Sequence, residues 1–204
     1  AASDVYKRQR FPWLLNTKYA YDYLHYLADP RKEEATMYVN NTYRQQEVYL
    51  SMANRVTVLP FWDINLSVDY QWNKLNANLT DFPYPRRNTT LVAAATSLHF
   101  DRFKFQASVL GTFVHENVAS DTTSAGNKME FTPTAIASYK PFKNIDFNLR
   151  AFYKRIFRMP TLNDLYYTFI GNIKLKPEYT NQFNIGVTYQ KLFTGTWLQA
   201  LNVQ

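Results

Sequence analysis

Cysteine is absent from this sequence, and glycine is scarce, with five in 204 residues. The lack of cysteine excludes a disulfide scaffold and a thiolate metal site. The few glycines form no glycine-rich loop of the kind that binds phosphate. No run of about 18 apolar residues occurs, which excludes a membrane-spanning helix. Spanning strands stay open, because each needs only about 9–11 residues and half of these can be polar.

The chain does contain many apolar and aromatic side chains. Hydrophobic residues make up 46% of it, yet the mean hydropathy is −0.40. This combination is expected when apolar residues alternate with polar ones instead of clustering. Aromatic residues account for 17% of the chain, with 16 Tyr and 15 Phe, and such a content is typical of the interfacial girdles around a membrane barrel.

The formal net charge of +7 raises the question of nucleic-acid binding, since basic domains with interleaved aromatics often have that function. Here lysine and arginine are spread along the whole chain and are not concentrated on one element. We therefore expect no nucleic-acid partner.

Alternation with a period of two predicts an all-β chain of about nine antiparallel strands. In the third strand, every second residue from Ile64 to Trp72 is apolar, whereas every second residue from Asp63 to Gln71 is polar. The predicted spans are 17–27, 41–57, 62–73, 89–100, 103–115, 128–140, 145–158, 180–190 and 196–204.

The connections between these strands alternate between long and short, beginning with a long one at 28–40 and a short one at 58–61. This order is typical of an antiparallel up-and-down transmembrane β-barrel, with tight turns at one end and longer loops at the other. A β-sandwich has no reason to keep it. Because Lys or Arg facing lipid near the midplane costs about 2–4 kcal/mol, we expect Arg150 and Lys154 to face the lumen. Arg155 breaks the apolar row near its end, where a long side chain can reach the headgroups.

The most specific stretch runs from Phe157 to Tyr189. Pro160 ends the preceding strand, because proline donates no ladder hydrogen bond. Thr161 and Asp164 have the spacing of a helix N-cap and its acidic partner. The stretch reads Phe-Arg-Met-Pro-Thr-Leu-Asn-Asp-Leu-Tyr-Tyr, then Gly-Asn-Ile-Lys-Leu-Lys-Pro-Glu, then a strand with glycine in its middle. In this order it resembles the second half of TonB-dependent outer-membrane receptors.

The resemblance implies a partial barrel here, about nine strands of a barrel of about 22, in the bacterial outer membrane and surrounded by its lipids. It also implies import of a scarce nutrient such as a siderophore, cobalamin or a glycan, driven by an inner-membrane TonB complex through a plug domain. We expect residues 11–204 to belong to the barrel, residues 1–10 to be an unpatterned end, and the plug to be missing from this stretch. The alternative is a passive outer-membrane pore or structural barrel without TonB coupling.

Aromatic and basic residues in the expected extracellular loops are the candidate ligand contacts. Rings and guanidinium groups there could bind a small-molecule or oligosaccharide ligand. The same residues could instead pack the loops or belong to the interfacial belt. The candidates are Tyr84, Arg86, Arg87, Tyr166, Tyr167 and Phe169.

No enzyme, cofactor or metal site is predicted. The histidines His25, His99 and His115 lie on three separate strands, and the carboxylates have no spacing that pairs them. Ser97 and His99 lie two residues apart on one strand face, and outer-membrane barrels that act as hydrolases exist, but no oxyanion signature or nucleophile elbow accompanies these residues.

A piece of a barrel has two unpaired edges, which lipid does not tolerate. We therefore predict that this chain by itself forms no stable closed barrel. Gel migration in detergent before and after heating tests this, and heat-modifiable migration of the isolated chain would contradict it.

Overall fold

A computed structural model describes residues 13–31, 38–119, 124–167, 171–192 and 200–203. Three subjects of the sequence predictions lie outside these residues: the end at 1–10, the turn before the last strand and Phe169.

The part of the chain that the structure describes forms one sheet of nine strands, and each strand is antiparallel to the next along the chain. This confirms the all-β, up-and-down prediction. Within the described residues, no helix is long and apolar enough to cross a membrane. The strands are β1 (Trp13–Ala28), β2 (Val39–Leu59), β3 (Trp62–Ala77), β4 (Arg86–His99), β5 (Phe103–Asn117), β6 (Lys128–Tyr139), β7 (Asp146–Arg158), β8 (Glu178–Leu192) and β9 (Ala200–Val203), and one short helix, α1 (Leu162–Tyr166), follows β7.

One face of the sheet, the apolar face, carries the alternate apolar residues. The register aligns them across strands, so that Val68 of β3 lies opposite Val92 of β4. Leu66 and Val92, in the middle of the sheet, are 51% and 43% exposed, so no second protein layer covers them. Aromatic residues occupy both ends of the face: Trp62, Phe103, Phe105, Tyr139 and Phe147 at one end, and Tyr70, Trp72, Phe113, Phe131 and Tyr179 at the other. This is the pattern of an apolar band between two aromatic girdles.

The opposite face, the polar face, carries amides, hydroxyls and charges. Arg150 lies opposite Ser138, and Lys154 lies opposite Thr134, both on this face. The prediction that these two cations avoid the apolar face is therefore confirmed. Asp63 of the same face accepts hydrogen bonds from Arg55 at 2.7 Å and from Thr57 at 2.7 Å.

Long connections meet at one end of the sheet, which we call the long-loop end. They span 29–38, 78–85, 118–127 and 159–177, whereas the connections at the opposite short-turn end span 60–61, 100–102 and 140–145. The predicted alternation is thus confirmed for these seven connections. Backbone hydrogen bonds such as His99 N–H to Phe61 C=O, 2.8 Å, tie the short turns together.

The ladder between β6 and β7 stops before the long-loop end. Its last pair is Thr134 with Lys154, next to Pro133, which has no N–H to donate. Beyond this point Glu130 accepts a hydrogen bond from the Tyr179 hydroxyl at 2.6 Å. Arg155, predicted to reach the headgroups, lies 5.4 Å from the centre of the Tyr179 ring and 3.9 Å from Glu130.

The two faces predict opposite responses to a new charge. In the full-length protein, Val92→Arg would place a cation on the apolar face at mid-strand, and we expect a cost of about 2–4 kcal/mol. Ala93→Arg, one residue further on the polar face, is the matched control. The measurement is the denaturant midpoint of the heat-modifiable folded band, and equal midpoints for the two variants would contradict the assignment of the faces.

Candidate functional site

The connection between β7 and β8 begins with a capped helix. Thr161 Oγ1 accepts a hydrogen bond from Asp164 N–H at 3.1 Å, and Asp164 Oδ2 accepts one from Thr161 N–H at 2.8 Å. This capping box confirms the predicted N-cap. The contact with the Thr161 side chain, and then the bond from its backbone, holds the pKa of Asp164 below its ordinary value.

The helix α1 packs onto the polar face of the sheet. Its residues Leu162 and Leu165 are 4% and 3% exposed, because the side chains of Tyr43 and Leu75 interrupt the polar face beneath them. Tyr167 also makes an edge-on ring contact with Tyr43 of β2, with 4.3 Å between centroids. We call this the loop-anchoring cluster; it consists of Tyr43, Leu75, Phe82, Leu162, Leu165 and Tyr166.

A buried ion pair lies beside this cluster. The side chains of Arg87 on β4 and Glu116 on β5 are 8% and 0% exposed, and Arg87 Nη2 lies 2.6 Å from Glu116 Oε2. Arg87 Nη1 donates to the Pro160 carbonyl at 2.6 Å, where β7 has just ended. The guanidinium therefore joins the wall to the start of the β7–β8 connection. Such additional hydrogen bonds offset part of the free-energy cost of burying the charge pair.

The second carboxylate oxygen of Glu116 joins the β7–β8 connection to the β5–β6 connection. The Tyr166 hydroxyl of α1 donates a hydrogen bond to Glu116 Oε1, and Ala125 N–H of the β5–β6 connection donates to the same oxygen at 3.3 Å. Burial, followed by this bond to Glu116, raises the pKa of Tyr166. The hydroxyl consequently stays protonated and available as a donor throughout the physiological pH range.

Two clefts flank the anchored connection. The loop cleft, of about 480 Å³, opens between the end of β7 and the start of β8 and is lined by Arg158, Pro160, Asn163, Asp164, Tyr167, Leu175, Lys176 and Glu178. The wall cleft, of about 440 Å³, lies against the polar face, where Glu47 accepts hydrogen bonds from Gln71 at 2.9 Å and Asn73 at 3.1 Å. Both clefts offer hydrogen-bond donors and acceptors, as well as positively and negatively charged side chains, to a ligand at the long-loop end.

The structure separates the candidate ligand residues. Arg87 and Tyr166 are each 7% exposed and bonded to protein partners, so their observed role is to anchor loops. Tyr84 and Arg86 are exposed, and Tyr167 lines the loop cleft. A ligand role for these residues stays a prediction.

Sequence reasoning missed Glu116, the residue that joins β4 to the β5–β6 and β7–β8 connections. Its only sequence signal is that it lies near the end of a strand on the polar face, opposite Arg87 near the start of the preceding strand. Likewise, nothing in the sequence singled out Arg158 and Lys176 of the loop cleft apart from their place in the stretch from Phe157 to Tyr189.

The histidines do not form a shared site. His25 hydrogen-bonds Asn40 at 2.7 Å, and His115 contacts Asn117 at 3.1 Å. His99 lies 3.8 Å from Asp63. Among the described residues, no group of three or more His, Asp or Glu side chains could hold a metal ion.

We expect Glu116→Ala in the full-length protein to loosen the β7–β8 connection. Removing one partner of a buried ion pair costs about 3–5 kcal/mol, because the other charge is left uncompensated. Trypsin should then cut after Lys174, which Leu175 follows, faster by about tenfold or more. Asp146→Ala, which breaks the exposed 2.7 Å pair with Lys140 at the short-turn end, is the control and should leave the rate unchanged. Equal rates for both variants would contradict the anchoring role.

Comparison with known proteins agrees with this architecture. No curated protein matches the chain. Among solved structures, the copper transporter OprC is similar in fold, with a TM-score of 0.63 and 14% identity over 88% of this chain. The match covers 33% of the OprC chain, so the present chain spans about a third of that length. The family model described as TonB dependent receptor-like, beta-barrel, matches residues 3–203. The chain therefore belongs to the TonB-dependent receptor β-barrel family, a family of the outer membrane.

Proposed function

We propose that this chain is part of the wall of an outer-membrane transporter that imports a small polar ligand with energy delivered through TonB. The observation that carries the proposal is the β7–β8 connection, which is anchored on the polar face at the long-loop end with a cleft of mixed charged and apolar lining on each side. In this reading, the long-loop end is extracellular, the polar face lines the lumen, and the TonB complex acts through a plug domain encoded elsewhere in the gene.

The lining of the loop cleft favours a ligand with several hydrogen-bonding groups. Arg158 and Lys176 can bind an anionic group, Asp164 can accept hydrogen bonds, and the Tyr167 ring provides a flat surface. A sugar or an organic chelate fits this mixture. Copper is not part of the proposal, because the chain has no cysteine and its described residues provide no group of three or more His, Asp or Glu side chains that could hold a metal ion.

The passive pore is the second candidate. A passive pore is best served by an unobstructed lumen, whereas here α1 and Phe82 occupy the polar face at the mouth. An anchored loop that narrows the mouth is more useful to a receptor, which must hold its ligand before transport. We propose no enzymatic activity, since His99 lies 3.8 Å from Asp63 and no hydrogen bond joins it to Ser97.

Uptake by intact cells tests the proposal. The complete gene is expressed in cells with and without TonB, and accumulation of a labelled ferric hydroxamate chelate, cobalamin and a malto-oligosaccharide is measured. We expect one of these to accumulate only in cells with TonB. Equal accumulation of that ligand in both strains would establish the passive pore instead.

A substitution in the loop cleft tests the site. We expect Arg158→Gln to raise the ligand concentration for half-maximal uptake by about tenfold, which corresponds to about 1.4 kcal/mol of binding free energy. Lys140→Gln, which removes the same charge at the short-turn end, should leave that concentration unchanged. An unchanged value for Arg158→Gln would remove this cleft as the ligand site.

A further inference from the structure

The apolar face of the first five strands carries charge of one sign only. Every carboxylate of these strands lies on the polar face, namely Asp22, Glu47, Asp63, Asp69 and Glu116. The charged residues on the apolar face are all basic, and all lie near the long-loop end: Arg44 of β2, Lys74 of β3 and Arg86 of β4.

The register brings these three cations together. Lys74 lies directly opposite Arg86, which places their Cβ atoms about 4.5–5.5 Å apart. Arg44 lies opposite Asn76, so it is the diagonal neighbour of Lys74, at about 7–8 Å. We call this group the basic rim patch.

No protein group compensates the basic rim patch within the described part of the chain. The ion pairs found there involve other cations. Arg44 and Arg86 are exposed, and Lys74 is half-buried. Like charges placed directly opposite each other across strands are destabilising. An anion bound from outside the sheet would remove this repulsion.

The position of the basic rim patch relative to the aromatic residues indicates which surroundings would supply this anion. Trp72 lies two residues before Lys74 on the same face, and Tyr70 lies two residues before Trp72. At about 3.4 Å per residue, the lysine is about 7 Å beyond the indole. Since aromatic belts lie at the level of lipid headgroups, cations just beyond the belt reach the phosphate groups.

We propose that the basic rim patch binds the phosphate groups of a phosphorylated lipid in the outer leaflet. Arginine forms paired hydrogen bonds with phosphate, and lysine contributes a point charge beside them. Gln46 and Asn117 flank Lys74 and Arg86 in the same row and add amide donors. This proposal depends on the outer-membrane placement proposed above.

A dissolved ligand in the mouth would not use the basic rim patch, because the patch is on the side of the sheet opposite to both clefts. Arg86 and Arg87 are adjacent, yet Arg87 is bonded to Glu116 on the polar face and Arg86 points away from it. The patch is instead continuous with the apolar band that would contact the acyl chains of the same lipid.

The test uses the complete receptor with Arg44→Gln, Lys74→Gln and Arg86→Gln combined. Affinity for diphosphorylated lipid A in mixed micelles is measured, together with the number of phosphorylated lipids that copurify by native mass spectrometry. We expect the dissociation constant to rise by about tenfold or more and at least one lipid to be lost. The matched control is Lys104→Gln, Arg150→Gln and Lys154→Gln, which removes three cations from the polar face and should change neither value.

Four outcomes would overturn the proposal: retention of the lipid by the triple variant, an equal loss in the control, equal binding of dephosphorylated lipid A by the unsubstituted receptor, or displacement of the lipid by millimolar inorganic phosphate. Capture of an acidic protein by the patch with lipid binding unchanged would also count against it.

If the triple variant gives no heat-modifiable band, Arg86→Gln alone must weaken lipid binding by at least about threefold, and no weakening contradicts the proposal. TonB-dependent uptake is measured on the same variants, so that lost lipid binding and lost transport can be told apart.

Discussion

Hydrocarbon offers no hydrogen-bond partner to a peptide group, so each strand of a membrane wall must pair its whole backbone with its neighbours. Sequential antiparallel pairing meets this requirement with short turns, and it makes adjacent residues face opposite environments. The alternation from Ile64 to Trp72 and the order of β1 to β9 are consequences of this one constraint. Pro133, the sixth of the twelve residues of β6, marks the place beyond which the β6–β7 pairing stops on its long-loop side.

The anchored β7–β8 connection shows how an apolar helix can rest on a polar wall. Leu162 and Leu165 find apolar partners only because Tyr43 and Leu75 interrupt the polar rows of β2 and β3. Beside the loop-anchoring cluster, Glu116 uses both carboxylate oxygens to bind groups from β4, α1 and the β5–β6 connection. Apolar contact holds the helix, while the directional bonds determine its position, and the clefts beside it keep a defined shape as a result.

Local patterns predicted most of the fold and little of the site. The order of the strands, their two faces and the lengths of the loops were predicted from the alternation of residues two positions apart. The capping box of Thr161 and Asp164 was predicted from residues three positions apart. The first strand begins at Trp13 and not at 17, because consecutive apolar residues there hide the alternation. The roles of Arg87 and Tyr166 depend on Glu116, which lies 29 and 50 residues from them in sequence. Single-sequence patterns carry no information about such pairs.

The pair Arg86 and Arg87 shows why two adjacent, identical side chains need separate explanations. A strand with a period of two must send one guanidinium to each side of the sheet. Arg87 is neutralised by Glu116 in a buried, water-excluding site, where an unpaired charge would be costly. Arg86 faces Lys74 without a carboxylate partner in the described residues, which is tolerable only in a polar environment rich in counterions. The environment of Arg87 is therefore explained by how the loops are held, and that of Arg86 by what surrounds the apolar face of the sheet.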